Sequence, residues 1–120
     1  MLPAESRMRR SAEFELTVRR GSRARSALLT GYLLVREDDE AQVPLVGFVV
    51  SKAVGSAVVR NKVRRRLRSV MRGYLPALPG GSLLVVRAHP QAAAARQADL
   101  AAELDLVMGK LMRRQVGTLR

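Results

Sequence analysis

The sequence predicts an α+β fold, a single-domain α-β sandwich with elements in the order α-β-β-α-β-α. Three observations carry that expectation. The 120 residues fit one domain. Short apolar runs of strand length alternate with stretches of helical period. Neither an internal repeat nor a linker interrupts them, so residues 1–120 read as one unit. Hydrophobic residues make up 48% of the chain and aromatics only 3%, so the core must be mainly aliphatic.

The elements follow from local chemistry. Ser11 is placed to cap a first helix running to about Arg20, with Phe14 and Val18 on one face. Gly21 ends it where a left-handed C-cap is common. Leu28–Arg36, LLTGYLLVR, reads as a strand with Gly31 as a weak point or bulge. Glu37–Glu40, EDDE, reads as a solvated hairpin tip. Pro44–Ser51, PLVGFVVS, is a second strand, apolar enough to be central. A long helix is expected from about Ser56 to Leu75, broken by PALPGG at Pro76–Gly81. Ser82–Ala88, SLLVVRA, is a near-continuous apolar run suited to burial on both faces, stopped by Pro90. Gln97 to about Arg114 forms the last helix, with Leu100, Leu104, Val107, Met108 and Leu111 on one side. Asp99 and Glu103 are left pointing outward.

Charge points to the partner. Lys and Arg number 22 against 10 Asp and Glu, a net charge of +12. Such an excess says little about fold but argues for a polyanion, nucleic acid before membrane. No run approaches the roughly 20 apolar residues of a membrane span. The opening MLPAESRMRRSAEF lacks the apolar core of a secretory signal. The absence of cysteine removes disulfides and thiolate chemistry and suits a cytoplasmic location. No surplus of apolar surface calls for an obligate protein oligomer.

The charge concentrates in Ser51–Arg68, SKAVGSAVVRNKVRRRLR, which holds seven basic residues and no acidic one. At about 100° per residue, Val59, Val63, Leu67, Val70 and Tyr74 fall within an arc of roughly 80°, and Met71 extends it to about 120°. That stripe faces the core. Arg60, Arg64, Arg68 and Arg72 step by four along one flank, with Asn61 and Arg65 outside them and Lys62 and Arg66 on the other flank. No carboxylate is spaced to pair with them along the helix. The predominance of Arg is informative, because its planar fork grips phosphate bidentately. Asn61 adds a donor and an acceptor within reach of a base edge or a 2′-hydroxyl. Five such contacts to a single strand give a log–log salt slope of about −3 to −4. The pattern does not itself choose RNA over DNA, although strands on both sides of the helix argue against a helix-turn-helix.

At these residues the chain resembles the protein subunit of bacterial ribonuclease P. The resemblance rests on Val46-Gly47-Phe48-Val49-Val50-Ser51-Lys52-Ala53-Val54-Gly55-Ser56-Ala57-Val58-Val59-Arg60-Asn61-Lys62-Val63-Arg64-Arg65-Arg66-Leu67-Arg68, with its Arg-Asn core and basic followers at fixed offsets. It extends to the N-terminal RMRRSAEFELTVRRG and to the placement of the later strand and helix. Two positions depart from the family pattern: Ala53 stands where a second Lys is common, and Val18 where an aromatic is common.

The resemblance implies a left-handed βαβ crossover through the signature helix, against the usual right-handed rule. It implies an accessory subunit of a ribonucleoprotein endoribonuclease whose RNA carries the chemistry. The RNA would remove the 5′ leader of precursor tRNA with Mg²⁺ ions held mainly by RNA. Lys52, Arg60, Asn61, Lys62, Arg64, Arg65 and Arg68 would face the catalytic RNA. Phe14 and Tyr32 would line a cleft for the single-stranded leader. Phe48 is read as core. The runner-up is a small basic ribosomal or ribosome-assembly protein, and a third reading is a basic DNA-binding protein.

No catalytic constellation of the chain's own is legible. The single His, His89, stands in a His-Pro loop and reads as a surface residue. EDDE lacks the spacing and glycine of a calcium loop. No phosphate-binding glycine loop occurs.

Overall fold

The computed structural model describes residues 2–36 and 42–118. Its elements are α1 (Ser11–Arg20), β1 (Ser22–Arg25), β2 (Leu29–Val35), β3 (Leu45–Val49), α2 (Ala57–Met71), β4 (Ser82–Ala88) and α3 (Gln97–Thr118). The strands form one mixed sheet in the order β1-β2-β4-β3. β1 pairs antiparallel with β2 and β2 antiparallel with β4, while β3 and β4 run parallel and are joined through α2. The predicted α+β class therefore holds, with one strand more than expected.

Alternation along the strands divides the core into two layers. Leu29, Leu33, Val46, Leu84 and Val86 face α2 and α3, meeting Val63, Leu67 and Met71 from the first helix and Leu100, Leu104, Val107, Met108 and Leu111 from the second. On the other face Tyr32, Leu83 and Val85 form a thinner layer with Met8, closed by Phe14 and Leu16 of α1. Burying a branched side chain is worth about 1.5–3 kcal/mol, so the α2–α3 layer carries most of the hydrophobic stabilisation.

Several sequence expectations are corrected. β1, SRAR, went unseen because only Ala24 points inward, and an edge strand with outward Arg residues shows no apolar alternation. Pro44–Ser51 was expected to be central, but β3 is an edge strand and β4, buried at six of its seven positions, is central. β3 is apolar because both its faces meet other elements, Val46 and Phe48 toward the α2–α3 layer and Gly47 beneath Phe14 of α1. The N-terminal segment also covers part of its open edge, through a bridge from Arg7 to Val46 and a bond from Met8 N–H to Val46 O at 2.9 Å. Glu37–Glu40 lies outside the described residues. β2 and β3 are not hairpin partners, since β4 stands between them; β1 and β2 are.

Helix termini differ too. Ser11 is the first helical residue, and Arg10 occupies the cap without a side-chain bond. Gly21 is extended, at φ −73° and ψ 159°, not left-handed. Its small size is required instead, because a Cβ there would lie 2.5 Å from Thr17 O. Gly31 sits in unbroken register opposite Ala24 and Val86, not in a bulge. A Cβ at that position would lie 2.5 Å from Val107 of α3. α2 ends at Met71, and Arg72–Ala77 continues as a tighter 3₁₀ turn that accommodates Pro76. α3 runs past Arg114 to Thr118.

Polar ties fix the helices and the sheet end. Arg66 donates to Ala95 O at 2.6 Å, Gln97 to Ser69 Oγ at 3.2 Å, and Tyr74 to Asp105 Oδ1 at 2.8 Å, so α2 and the turn after it are pinned to α3 and to the segment just before it. His89 is buried at 9% exposure, not on the surface. Its Nδ1 lies 3.0 Å from Ala27 O and its Nε2 2.7 Å from Thr30 Oγ1. A carbonyl can only accept, so Nδ1 donates to it, and in the neutral ring Nε2 then accepts from the Thr30 hydroxyl. Glu103 also turns inward, accepting from Leu28 N–H at 2.9 Å. Neither set of contacts was legible, because the partners Ala27, Thr30 and Leu28 lie far away in sequence.

Two outcomes follow from these ties. His89→Ala strands the buried Thr30 hydroxyl and is expected to cost about 1–3 kcal/mol in urea unfolding. Burial, then the hydrogen bond the phenol donates to Asp105 and the charge of that carboxylate, push the Tyr74 phenol from 10.0 up to about 12. The fold thus favours the neutral phenol. That contribution is intact below the unfolded value near 10 and is lost as pH rises through about 12. Asp105→Ala should move the tyrosinate absorbance midpoint of Tyr74 back toward 10.

Candidate nucleic-acid interface

The basic helix starts at a defined point. Ser56 caps it, its Oγ accepting from Val59 N–H at 3.4 Å, a long bond in the position of an N-cap contact. No acidic residue occupies its first turn. Val63, Leu67 and Met71 are fully buried, and Val59, Val70 and Tyr74 pack around them. This fixes the rotation of the cylinder, and the charged residues fall where the periodicity put them. Asn61, Lys62 and Arg65 are exposed, while Arg60, Arg64 and Arg68 are half-buried along the flank toward β3. Lys52 is exposed in the turn that leads into the helix. Arg66 departs from this group, since its guanidinium is spent on Ala95 O.

The flank residues are held, not loose. Arg64 donates to Asn61 Oδ1 at 3.2 Å and to Val50 O at 3.4 Å. Arg60 has its Nε buried without a partner among the described residues. None of these cations meets a carboxylate among the described residues; the ion pair seen there is Arg36 with Glu13, at 3.9 Å, beside α1. Several positive charges therefore stand on one helix with no neutralising carboxylate among the described residues. Solution ions screen such charges only beyond about 8 Å, so the row remains a strong local attractor for a polyanion.

The aromatic candidates divide. Phe14 is half-buried, its ring lying directly over Gly47 of β3, where a Cβ would collide with it. One edge of that ring borders a shallow recess with Val18, Val49, Glu15 and Arg19. Val18 is 45% exposed there. Tyr32 lies deeper, 6% exposed and packed with Leu83 and Val85 beneath α1. The structure thus brings Phe14 to an accessible apolar surface and places Tyr32 in the layer that supports it. Phe48, read as core, is half-buried on the α2 side of β3.

Sequence reasoning missed three cations. Arg7 and Arg9 join this region because the N-terminal segment folds onto β3. Arg87 is exposed on the α1 face of the sheet, opposite Thr30 and Val49. The RMRR run signalled charge, but nothing local told where it would dock. Among the described residues, no three His, Cys, Asp or Glu side chains gather into a metal-sized group. The donor set here does not fit a protein-held ion. What the arrangement can do is grip phosphates along α2 and offer an aromatic edge nearby.

Comparison with known proteins identifies the family and the fold. The sequence model of the Ribonuclease P family matches residues 2–112. The ribonuclease P protein component of Streptomyces avermitilis is 51% identical over 118 residues, covering 93% of this chain and 96% of that one. The Mycolicibacterium gilvum component is 42% identical, covering 97% and 94%. Among solved structures, the ribonuclease P protein of Staphylococcus aureus superposes with a TM-score of 0.78 at 21% identity, over 87% of this chain and 93% of that one. The Thermotoga maritima protein gives 0.71 at 22% identity, over 89% and 96%. At such identities the structural matches speak to the fold alone.

The double substitution Lys62→Ala/Arg65→Ala removes two outward cations without touching the core. Two lost contacts at about 0.7 each should flatten the log–log salt dependence of single-stranded RNA binding by roughly 1.4, read by fluorescence anisotropy across a salt series.

Proposed function

The chain belongs to the ribonuclease P protein family, as a component of that ribonucleoprotein endoribonuclease, and on that premise we propose how its surfaces divide the work. The outward and flanking residues of α2, namely Arg60, Asn61, Lys62, Arg64, Arg65 and Arg68, with Lys52 before them, dock on the catalytic RNA. The recess beside Phe14 receives the single-stranded 5′ leader of precursor tRNA, with Tyr32 as its buried support. The RNA carries out phosphodiester hydrolysis with Mg²⁺ ions held mainly by its own phosphates. The protein binds and orients. It also reduces the repulsion between two polyanions, which lowers the concentration of divalent ion needed.

The observation that supports this reading best is the row of cations on α2, uncompensated among the described residues and rotated outward by the burial of Val63, Leu67 and Met71. A guanidinium fork meets a phosphate in two parallel bonds, which fixes orientation as well as charge. Aromatic stacking adds about 1–3 kcal/mol per unpaired base and tolerates any sequence, as a subunit serving many leaders requires.

The test is reconstitution. Added to a bacterial ribonuclease P RNA, the chain should lower the Mg²⁺ concentration needed to cleave precursor tRNA, with a leaderless substrate as control. A lack of any stimulation overturns the reading. Within that assay Arg64→Ala/Arg68→Ala should weaken assembly with the RNA. Phe14→Leu should instead weaken leader-bearing substrate by about 1–3 kcal/mol with assembly nearly unchanged. Equal damage to assembly by both variants contradicts the division of surfaces.

A further inference from the structure

A cavity of about 230 Å³ opens at the free edge of β3, between the N-terminal segment and α2. Four arginines line it, Arg7, Arg9, Arg64 and Arg68, together with Gly47 and Phe48, and no acidic residue does among the described residues. Crowding like charges against apolar walls is costly unless an anion offsets it. Two of the four are already aimed. Arg7 donates to Leu2 O at 3.2 Å, and Arg64 donates to Val50 O at 3.4 Å. The Nε of Arg7 is buried with no hydrogen-bond partner among the described residues. Solubility alone would need neither aim nor enclosure.

The floor adds a backbone donor. Met8 bonds to Val46 O, so the N–H and C=O of Val46 point to the open edge. Strand alternation turns those of Phe48 to the same side, toward the cavity. Phe48 is half-buried and lines the cavity, so an aromatic side chain stands beside the arginines. The volume lies below the roughly 300–1,000 Å³ of drug-sized ligand clefts, which limits the occupant to something small. The cavity shares Arg64 and Arg68 with the α2 row, and Phe14 with the recess on the other face of the sheet.

We propose that this cavity is a site for one unpaired ribonucleotide, with its phosphate clamped by Arg7, Arg9, Arg64 and Arg68 and its base stacked on Phe48. The strand that supplies it passes around the β3 edge from the α2 surface to the α1 recess. The inference rests on the reading of the partner as RNA. The same chemistry fits a nucleotide of the leader or one of the catalytic RNA.

Two measurements test it. First, the isolated chain is titrated with a nucleoside 5′-monophosphate and with inorganic phosphate, following Phe48 and arginine Nε–H resonances by NMR. Saturable binding that prefers the nucleotide is expected, with Arg9→Gln weakening it by about tenfold, the scale of one charge-assisted contact. Phe48→Leu should erase the preference for nucleotide over phosphate. Absence of saturable binding, or equal affinity for both probes, overturns the proposal. Second, Arg9→Gln is assayed in the reconstituted holoenzyme. Weaker binding of leader-bearing but not leaderless precursor assigns the nucleotide to the leader, and weaker assembly assigns it to the catalytic RNA. If neither changes while the unaltered chain still stimulates cleavage, the site is refuted and the family function stands. Failure of the unaltered chain to stimulate cleavage instead removes the RNA reading on which the site depends.

Discussion

One helix must satisfy two opposed demands. α2 has to bury an aliphatic stripe, and it has to carry guanidinium groups that nothing in the described chain neutralises. The two are compatible only because the helical period separates them by angle. Burial of Val63, Leu67 and Met71 fixes the rotation, and the rotation decides which cations meet solvent. The repulsion along the row is borne by the fold until a polyanion offsets it. For that reason the α2–α3 layer is the thicker part of the core, and it is reinforced by the ties from Arg66, Ser69 and Tyr74 to the residues opposite them.

The sheet order has a second consequence. An apolar edge strand is a hazard for aggregation, and β3 is such a strand. Here the N-terminal segment covers its edge as far as Val46 and then leaves it. The same docking carries Arg7 and Arg9 to within reach of Arg64 and Arg68. An edge-protecting device and a concentration of positive charge therefore arise from one contact. Phe14 packs over Gly47 on the opposite face of that strand, so an aromatic edge and an arginine cluster meet around five residues of β3.

Much of this was legible from residue order. The Ser82–Ala88 strand agrees residue for residue, because a continuous apolar run bounded by Gly and Pro has few other solutions. The face assignment on α2 held because periodicity within one helix is a local property. β1 was illegible: one inward Ala among Arg and Ser carries no pattern, and it becomes a strand only because β2 offers it a partner. His89 and Glu103 read as surface residues, since their hydrogen bonds go to Thr30, Ala27 and Leu28, dozens of positions away.

By itself the sequence determined the helices, the α+β class, the family and the outward row of cations on α2. These depend on spacing along the chain and on the chemistry of single side chains. Tertiary structure alone decided that β4 and not β3 is central, that Tyr32 is support and not surface, and that Arg7 and Arg9 join Arg64 and Arg68 at the β3 edge. Strand order and the docking of distant segments are set by long-range burial and pairing, for which neighbouring residues carry no signal.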